Sequence, residues 1–241
     1  MNLSVVIPAF NEESCLVSTL SQIYGYFNNR PNGLARLAEV IVVDDGSTDQ
    51  TAAIVKNAGF ANLKLISHRQ NLGKGAAVKT GVKASIGEAV LFLDADYSTK
   101  IEELDNFLPK LNECWDIIIG SRGMPDSRIL KSQPIFKELL GRLGNLLIRL
   151  LAVPGVADSQ CGFKLFNRRS LAIFNQQTIQ RWLFDVELLF IAKKYDFKML
   201  ELPVAWTNDR FSKVKKSDYL KTLIELVKIR LNDLKGLYEK K

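Results

Sequence analysis

Two carboxylates one residue apart close the apolar run AVLFLDAD at residues 89–96. Asp94 and Asp96 are hard oxygen donors that suit Mg2+ or Mn2+, and a divalent ion with so few protein ligands completes its shell with phosphate oxygens. Alone, the pair reads more readily as a strand followed by an Asp-bearing turn. The other strand ends change that balance. Pro8-Ala9-Phe10-Asn11-Glu12 and Asp44-Asp45-Gly46-Ser47-Thr48-Asp49 also follow apolar runs, and carboxylates there can accept hydrogen bonds from a base and a ribose while a metal neutralises a diphosphate. Glu12 and Asp44 are the candidates for those contacts, with turn and helix-cap chemistry accounting for some of their neighbours. Asn71-Leu72-Gly73-Lys74-Gly75 opens an alanine-rich segment, where the glycines would admit a close-lying ligand and Lys74 would supply charge. Gly73-x-Gly75 also begins like a dinucleotide fingerprint, but Val78 stands at its third small position and the segment follows the third strand rather than the first. Ala76 after Gly75 excludes a Walker A loop.

For these residues to act together, their strands must open on one edge. Strand-like runs at Leu3–Ile7, Val40–Val43, Leu63–Ser67, Ala89–Leu93 and Ile117–Ile119 alternate with helical patterns at Glu13–Phe27, Thr48–Asn57, Gly75–Ile86 and Ile101–Leu111. That alternation predicts an α/β fold, a doubly wound and mostly parallel sheet flanked by helices, whose ligands bind at the carboxyl ends of the strands. Ser47-Thr48-Asp49 is placed to cap the second helix, and Ser98-Thr99 with Glu102 has the spacing of a capping box for the fourth. Beyond Gly120 the rhythm changes to a basic loop from Arg122 to Lys137, an apolar helical stretch to Leu151, a strand Phe163–Phe166 and a helix Phe184–Tyr195. Residues 1–215 read as one domain. From 216 to 241 a basic amphipathic helix sets Leu220, Leu223, Ile224, Val227, Leu231 and Leu234 at helical spacing, to dock on the core or lie on a membrane.

With 47% hydrophobic residues in 241, the chain can bury a substantial core, which excludes a disordered or fibrous protein. Lys and Arg number 33 against 26 Asp and Glu; the excess suits a polyanionic ligand or an anionic membrane surface. Nucleic acid is set aside, since no aromatic platform, helix-turn-helix signature or zinc motif is present. Cys15, Cys114 and Cys161 are odd in number and widely spaced, as in reduced cytoplasmic proteins. No run approaches the roughly 18–20 apolar residues of a spanning helix, and no basic n-region precedes the first strand, so no transmembrane segment or secretion signal is expected. Leu139 to Val156 is interrupted by Arg142, Asn145, Arg149 and Pro154, as an amphipathic surface would be.

The motifs VVIPAFNEE, VIVVDDGSTDQT, NLGKGAAVKTG and LFLDAD, in this order and spacing, resemble glycosyltransferase family 2 members with the GT-A, Rossmann-like fold. IIIGSR, ADSQCGFKLF, RWLFDVELLFIAK and LPVAWTND narrow the resemblance to the polyprenyl-phosphate hexosyltransferases, closest to the dolichyl-phosphate β-glucosyltransferases, with the mannosyl enzymes second. The resemblance spans about residues 3 to 210 and implies a metal-dependent, inverting transfer from a nucleotide sugar, UDP-glucose or else GDP-mannose, to a lipid phosphate or a soluble saccharide. A nucleotide-binding scaffold without turnover is the non-enzyme alternative. Eukaryotic glucosyl relatives usually carry a membrane anchor that is not seen here, so a peripheral position on the cytoplasmic face is expected. That dock would use the apolar stretch and basic tail, which a homodimer could equally cover.

For this chain the resemblance groups Pro8, Ala9, Asn11, Glu12, Asp44, Asp45, Asn71, Gly73, Lys74, Asp94, Ala95 and Asp96 around the nucleotide sugar, with Mg2+ or Mn2+ on Asp94 and Asp96. Asp158 is the family's candidate catalytic carboxylate. Arg122, Arg128 and Lys131, in or beside the basic loop, would receive the acceptor phosphate, Arg being suited to bidentate contact. Gln160 is a polar contact and Trp206 mainly packing. Asp185 and Glu187 lie about 200° apart on a helix, so at most one faces the site; Glu187 is either support behind it or a surface residue. His68, without a Cys or second His partner, belongs at the surface or near the nucleotide.

Overall fold

The computed structural model describes residues 1–30, 33–131, 144–207 and 216–240, with only the backbone at 130–131 and 216–220. Strands β1 (Asn2–Ala9), β2 (Arg36–Asp44), β3 (Leu63–Ser67) and β4 (Ala89–Leu93) pair in parallel. Then follow β5 (Ile117–Ser121), β6 (Arg128–Lys131), β7 (Phe163–Asn167), β8 (Met199–Pro203) and β9 (Ala205–Thr207). Among the described residues, seven strands form one sheet in the order β3-β2-β1-β4-β7-β5-β8, in which β7 is antiparallel to β4 and β5. The sheet is therefore mixed and mostly parallel, as the alternation of elements predicts.

The continuous apolar runs form strands because both faces are covered, each side chain alternating to one of two apolar layers. Val6, Val43, Val90, Phe92 and Phe166 face helices α3 (Lys74–Ala84), α6 (Ile173–Gln176), α7 (Phe184–Lys194), α8 (Lys216–Leu234) and α5, helical over 144–151. Leu3, Val5, Ile7, Val42, Leu91 and Leu93 face α1 (Leu16–Asn28), α2 (Thr51–Asn57) and α4 (Leu104–Asn112). Every α7 residue from Phe184 to Ala192 is buried, because α8 covers its outer side through Leu226 and Ile229.

Some local expectations are corrected. The stretch read as a basic loop contains β6, which pairs in parallel with β9; its residues 132–137, like 139–143 of the apolar stretch, lie outside the described residues. The fourth helix lacks its capping box: Glu102 accepts a hydrogen bond from the Tyr97 hydroxyl at 3.2 Å, and Thr99 Oγ1 lies 3.9 Å from Cys161 Sγ. At the second helix Asp49 does serve the first turn, accepting from Thr51 N at 2.9 Å.

Candidate active site

β1 has β2 on one side and β4 on the other, so the winding reverses at β1 and leaves a crevice beyond Ala9, Asp44 and Leu93. Because β7 is antiparallel, the turn preceding it enters the same rim, where Asp94 N donates to Gly162 O at 3.0 Å. β5 brings Ser121 and Arg122 to that rim as well.

At the end of β4, Asp94 keeps a quarter of its side chain exposed, while its Oδ1 is covered and lies 2.7 Å from Lys74 Nζ. The two form an ion pair, and the ammonium is the group that meets this oxygen. Gly162 forms the floor under the carboxylate: a Cβ there would stand 1.9 Å from Asp94 Oδ2, so only glycine admits it. Asp96 Oδ1 accepts from Ser98 N at 2.9 Å, and burial followed by repulsion from Asp94 holds its carboxyl above the usual Asp range. A cation between the two would relieve that repulsion. Among the described residues no third His, Cys, Asp or Glu joins them as a ligand group. Two hard carboxylates, one with a covered oxygen met by a lysine ammonium, fit a divalent ion that takes its remaining ligands from phosphate and water.

Lys74 begins α3 behind a glycine loop that Asp45 holds in place. Leu72 N and Gly73 N donate to Asp45 Oδ1 and Oδ2 at 3.0 and 2.8 Å, and His68 Nδ1 lies 2.7 Å from Oδ1. Asp45 is therefore engaged by the loop and by His68 inside the protein. His68 is largely buried, and its Nε2 lies 3.0 Å from Thr80 Oγ1. Gly73 adopts φ +109°, and a Cβ on it would meet Gln180 O at 2.5 Å. Burial pulls the Lys74 ammonium down, but Asp94 and Asp185 outweigh it and raise its pKa.

Two further loops are stitched to each other. Asn11, at φ 55°, accepts from Thr48 N at 2.8 Å and donates its own N–H to Ser47 Oγ at 2.9 Å, while Glu12 N donates to Thr51 Oγ1 at 2.8 Å. Asp44, almost fully buried, accepts from Ser47 N at 3.0 Å. Pro8 and Ala9 end β1, Ala95 O accepts from Thr19 Oγ1 at 2.7 Å, and Asn71 Oδ1 accepts from Arg181 at 3.4 Å.

Across the rim, Arg122 and Asp158 form a forked ion pair: Nε to Oδ2 at 2.6 Å and an NH2 to Oδ1 at 2.9 Å, with Arg122 N adding a third bond at 3.0 Å. Burial would push Asp158 up, yet Arg122 holds its carboxyl below the usual carboxylate range. An ionised, doubly paired and 2% exposed carboxylate is a poor proton acceptor, and its observed contacts fix the guanidinium instead. Ala157 N and Asp158 N donate to Glu201 at 2.8 and 2.7 Å, and Gln160 N donates to Asp158 Oδ1 at 3.2 Å. The Arg122 guanidinium lies 5.3 Å from the Trp206 ring centre, which adds a cation–π role to a residue read as packing. Arg128 lies exposed on β6; the Lys131 side chain is outside the described residues.

Sequence reasoning missed Lys164. Its ammonium is buried in β7, 2.6 Å from Asp185 Oδ1, and also donates to Cys161 O. This pins the turn that carries Gly162, so Asp185 of α7 is the acid turned toward the site. A lysine inside the apolar run FKLF was the available signal. Glu187 points away from the rim, completely buried, and accepts from Thr178 N, Thr178 Oγ1, Ile179 N and the Tyr238 hydroxyl. Its segment leads to Gln180, whose carbonyl accepts from Ala76 N behind the glycine loop. Glu187 is thus support, not surface.

Known proteins resemble this chain in sequence and in fold. The family described as glycosyl transferase family 2 matches residues 4–174. A dolichyl-phosphate beta-glucosyltransferase of Trichomonas vaginalis is 37% identical over 97% of this chain and 72% of its own length. The Homo sapiens protein of that name is 36% identical over 98% of this chain and 77% of its own. Glucosyl-3-phosphoglycerate synthase from Mycobacterium tuberculosis, solved with Mn2+, UDP and phosphoglyceric acid, superposes with a TM-score of 0.68 at 19% identity, over 100% of this chain and 79% of that one. At that identity it speaks for the fold alone.

Proposed function

The chain belongs to glycosyl transferase family 2, and from that premise we propose that it transfers glucose from UDP-glucose to a dolichyl or other polyprenyl phosphate, with inversion to the β-linked lipid phosphate sugar. The observation that carries this reading is the rim itself: Asp94 and Asp96 beside Lys74 at one end, and Arg122 locked by Asp158 at the other.

Asp94 and Asp96 would hold Mg2+ or Mn2+, which when bound supplies neutralisation of the charge gathering on the leaving diphosphate. The glycine loop and Lys74 bind that diphosphate, and Glu12 and Asp44 are the acids assigned to the ribose and base. Arg122, forked by Asp158 and backed by Trp206, presents a rigid cation to the acceptor phosphate, with Arg128 and Lys131 beyond it. A phosphate is already anionic at neutral pH. Its oxygen attacks the anomeric carbon as the bond to the diphosphate breaks, and no side chain has to remove a proton. Positioning and charge neutralisation carry the rate, which is why a depressed carboxylate at Asp158 suits the task.

The lipid acceptor calls for a membrane surface. Among the described residues no helix is long and apolar enough to cross a bilayer. α8 docks by Leu226 and Ile229 yet exposes Leu223, Ile224, Val227, Leu231 and Leu234, near Lys221, Lys228, Arg230 and Lys235. Each basic side chain near an anionic leaflet adds about 1 kcal/mol. The proposed arrangement is a GT-A domain over residues 1–215, with the 216–241 helix packed on it and lying at the cytoplasmic face of a membrane.

The test is purified protein with Mg2+ or Mn2+, labelled UDP-glucose, GDP-mannose and related donors, and a short polyprenyl phosphate. Labelled lipid from UDP-glucose is expected. Product from GDP-mannose alone would reassign the sugar, and product only with a soluble saccharide would defeat the lipid acceptor.

A further inference from the structure

We propose that Lys74 stands in for the divalent cation at Asp94, so that metal ion and nucleoside diphosphate load together and neither loads well alone. The inference rests on Asp94 and Asp96 being metal ligands. Its starting point is geometric: the Lys74 ammonium sits 2.7 Å from Asp94 Oδ1, and Oδ1 is otherwise covered.

Asp94 Oδ2 fills the space that a Cβ on Gly162 would occupy, while Lys74 meets Oδ1. The backbone of Lys74 is fixed: Gly73 N is tied to Asp45, and Ala76 N to Gln180 O. What can move is the four-carbon stem, whose ammonium now lies 5.3 Å from the Phe92 ring centre. Asp185 also attracts the ammonium, but it already pairs with Lys164 at 2.6 Å. A divalent ion arriving at Asp94 therefore meets a unit positive charge within a few ångströms in a poorly screened crevice. The conflict ends if the ammonium swings onto a polyanion lying along the glycine loop. A nucleoside diphosphate supplies that anion. Its arrival frees Asp94 for the metal, and the metal in turn frees Lys74 for the diphosphate; such coupling is reciprocal by thermodynamic necessity.

The experiment measures Mn2+ affinity of the full chain, by electron paramagnetic resonance of free Mn2+ or by calorimetry, with and without saturating UDP, for wild type and Lys74→Met. Wild type is expected to bind Mn2+ weakly alone and more tightly with UDP. Lys74→Met is expected to bind Mn2+ alone about tenfold tighter than wild type, with the UDP enhancement reduced by about the same factor. Lys74→Arg, which keeps the charge, should retain the wild-type coupling, and Lys74→Gln gives a second neutral reading if the Met variant fails to fold. Unchanged Mn2+ affinity and coupling in the neutral variants overturns the inference. Absence of Mn2+ binding in every form overturns it together with the metal assignment. Coupling of the expected kind, without transfer to any lipid phosphate, supports the inference and defeats the transfer proposal separately.

Discussion

Asp158 is the residue whose environment bears most directly on mechanism. If it serves by fixing Arg122, Asp158→Asn lowers kcat/KM yet leaves the shape of its pH profile unchanged; loss of a pH limb would make it a proton acceptor after all. The same substitution should cost about 2–3 kcal/mol of stability, less than a fully buried pair because Arg122 keeps 30% of its side chain exposed. The pH dependence follows from the depressed carboxyl. Its contribution is complete above the ordinary Asp range, near ~3.9, and disappears as pH falls through the lower folded value; denaturant unfolding of wild type and Asp158→Asn across acid pH should converge. At Gly162 an alanine places its methyl into Asp94 Oδ2. Gly162→Ala should lose metal-dependent UDP binding by about tenfold or more, read by calorimetry, while circular dichroism stays native.

At the scale of elements, loops at one rim are held by carboxylates on other elements: buried Asp45 holds the glycine loop, half-buried Glu201 the Asp158 loop, and buried Glu187 the segment behind α3. Glu187→Ala strands Thr178 N and Ile179 N and should destabilise the protein by about 3 kcal/mol in urea denaturation; a loss under about 1 kcal/mol would show that the segment finds other partners. This layer was only half legible beforehand. The strand Ala89–Leu93 and the helices flanking the sheet follow from periodicity and length, because both faces of the sheet are covered. The capping box at Ser98-Thr99 did not form, because Tyr97 reaches Glu102 and Ile101 N first. The strand Arg128–Lys131 was hidden in a basic segment because its pairing with Ala205–Thr207 is made across a long stretch of chain.

For the molecule as a whole, α8 carries apolar residues on two sides. Its Leu226 and Ile229 cover α7, and the opposite stripe faces outward. Replacing Leu223, Val227 and Leu231 together by Ser should leave the thermal unfolding midpoint close to wild type and reduce co-sedimentation with anionic phospholipid vesicles several-fold, with transfer to a lipid acceptor falling in parallel. Unchanged vesicle binding would assign the stripe elsewhere, a second copy of the chain included.

Composition, the alternation of apolar runs with helical patterns, and the motifs ending in Asp94 and Asp96 determined the family, the layered sheet and the edge on which chemistry is sited. These are properties of local spacing, and spacing survives without coordinates. Only the tertiary structure decided which acids face the crevice and which hold it up. Asp45, Asp158, Asp185 and Glu187 look alike along the chain, and their roles differ because partners distant in sequence, Gly73 N, Arg122, Lys164 and Thr178 N, converge on them. A carboxylate's function depends on the donors and charges within a few ångströms of it, and folding alone brings those together.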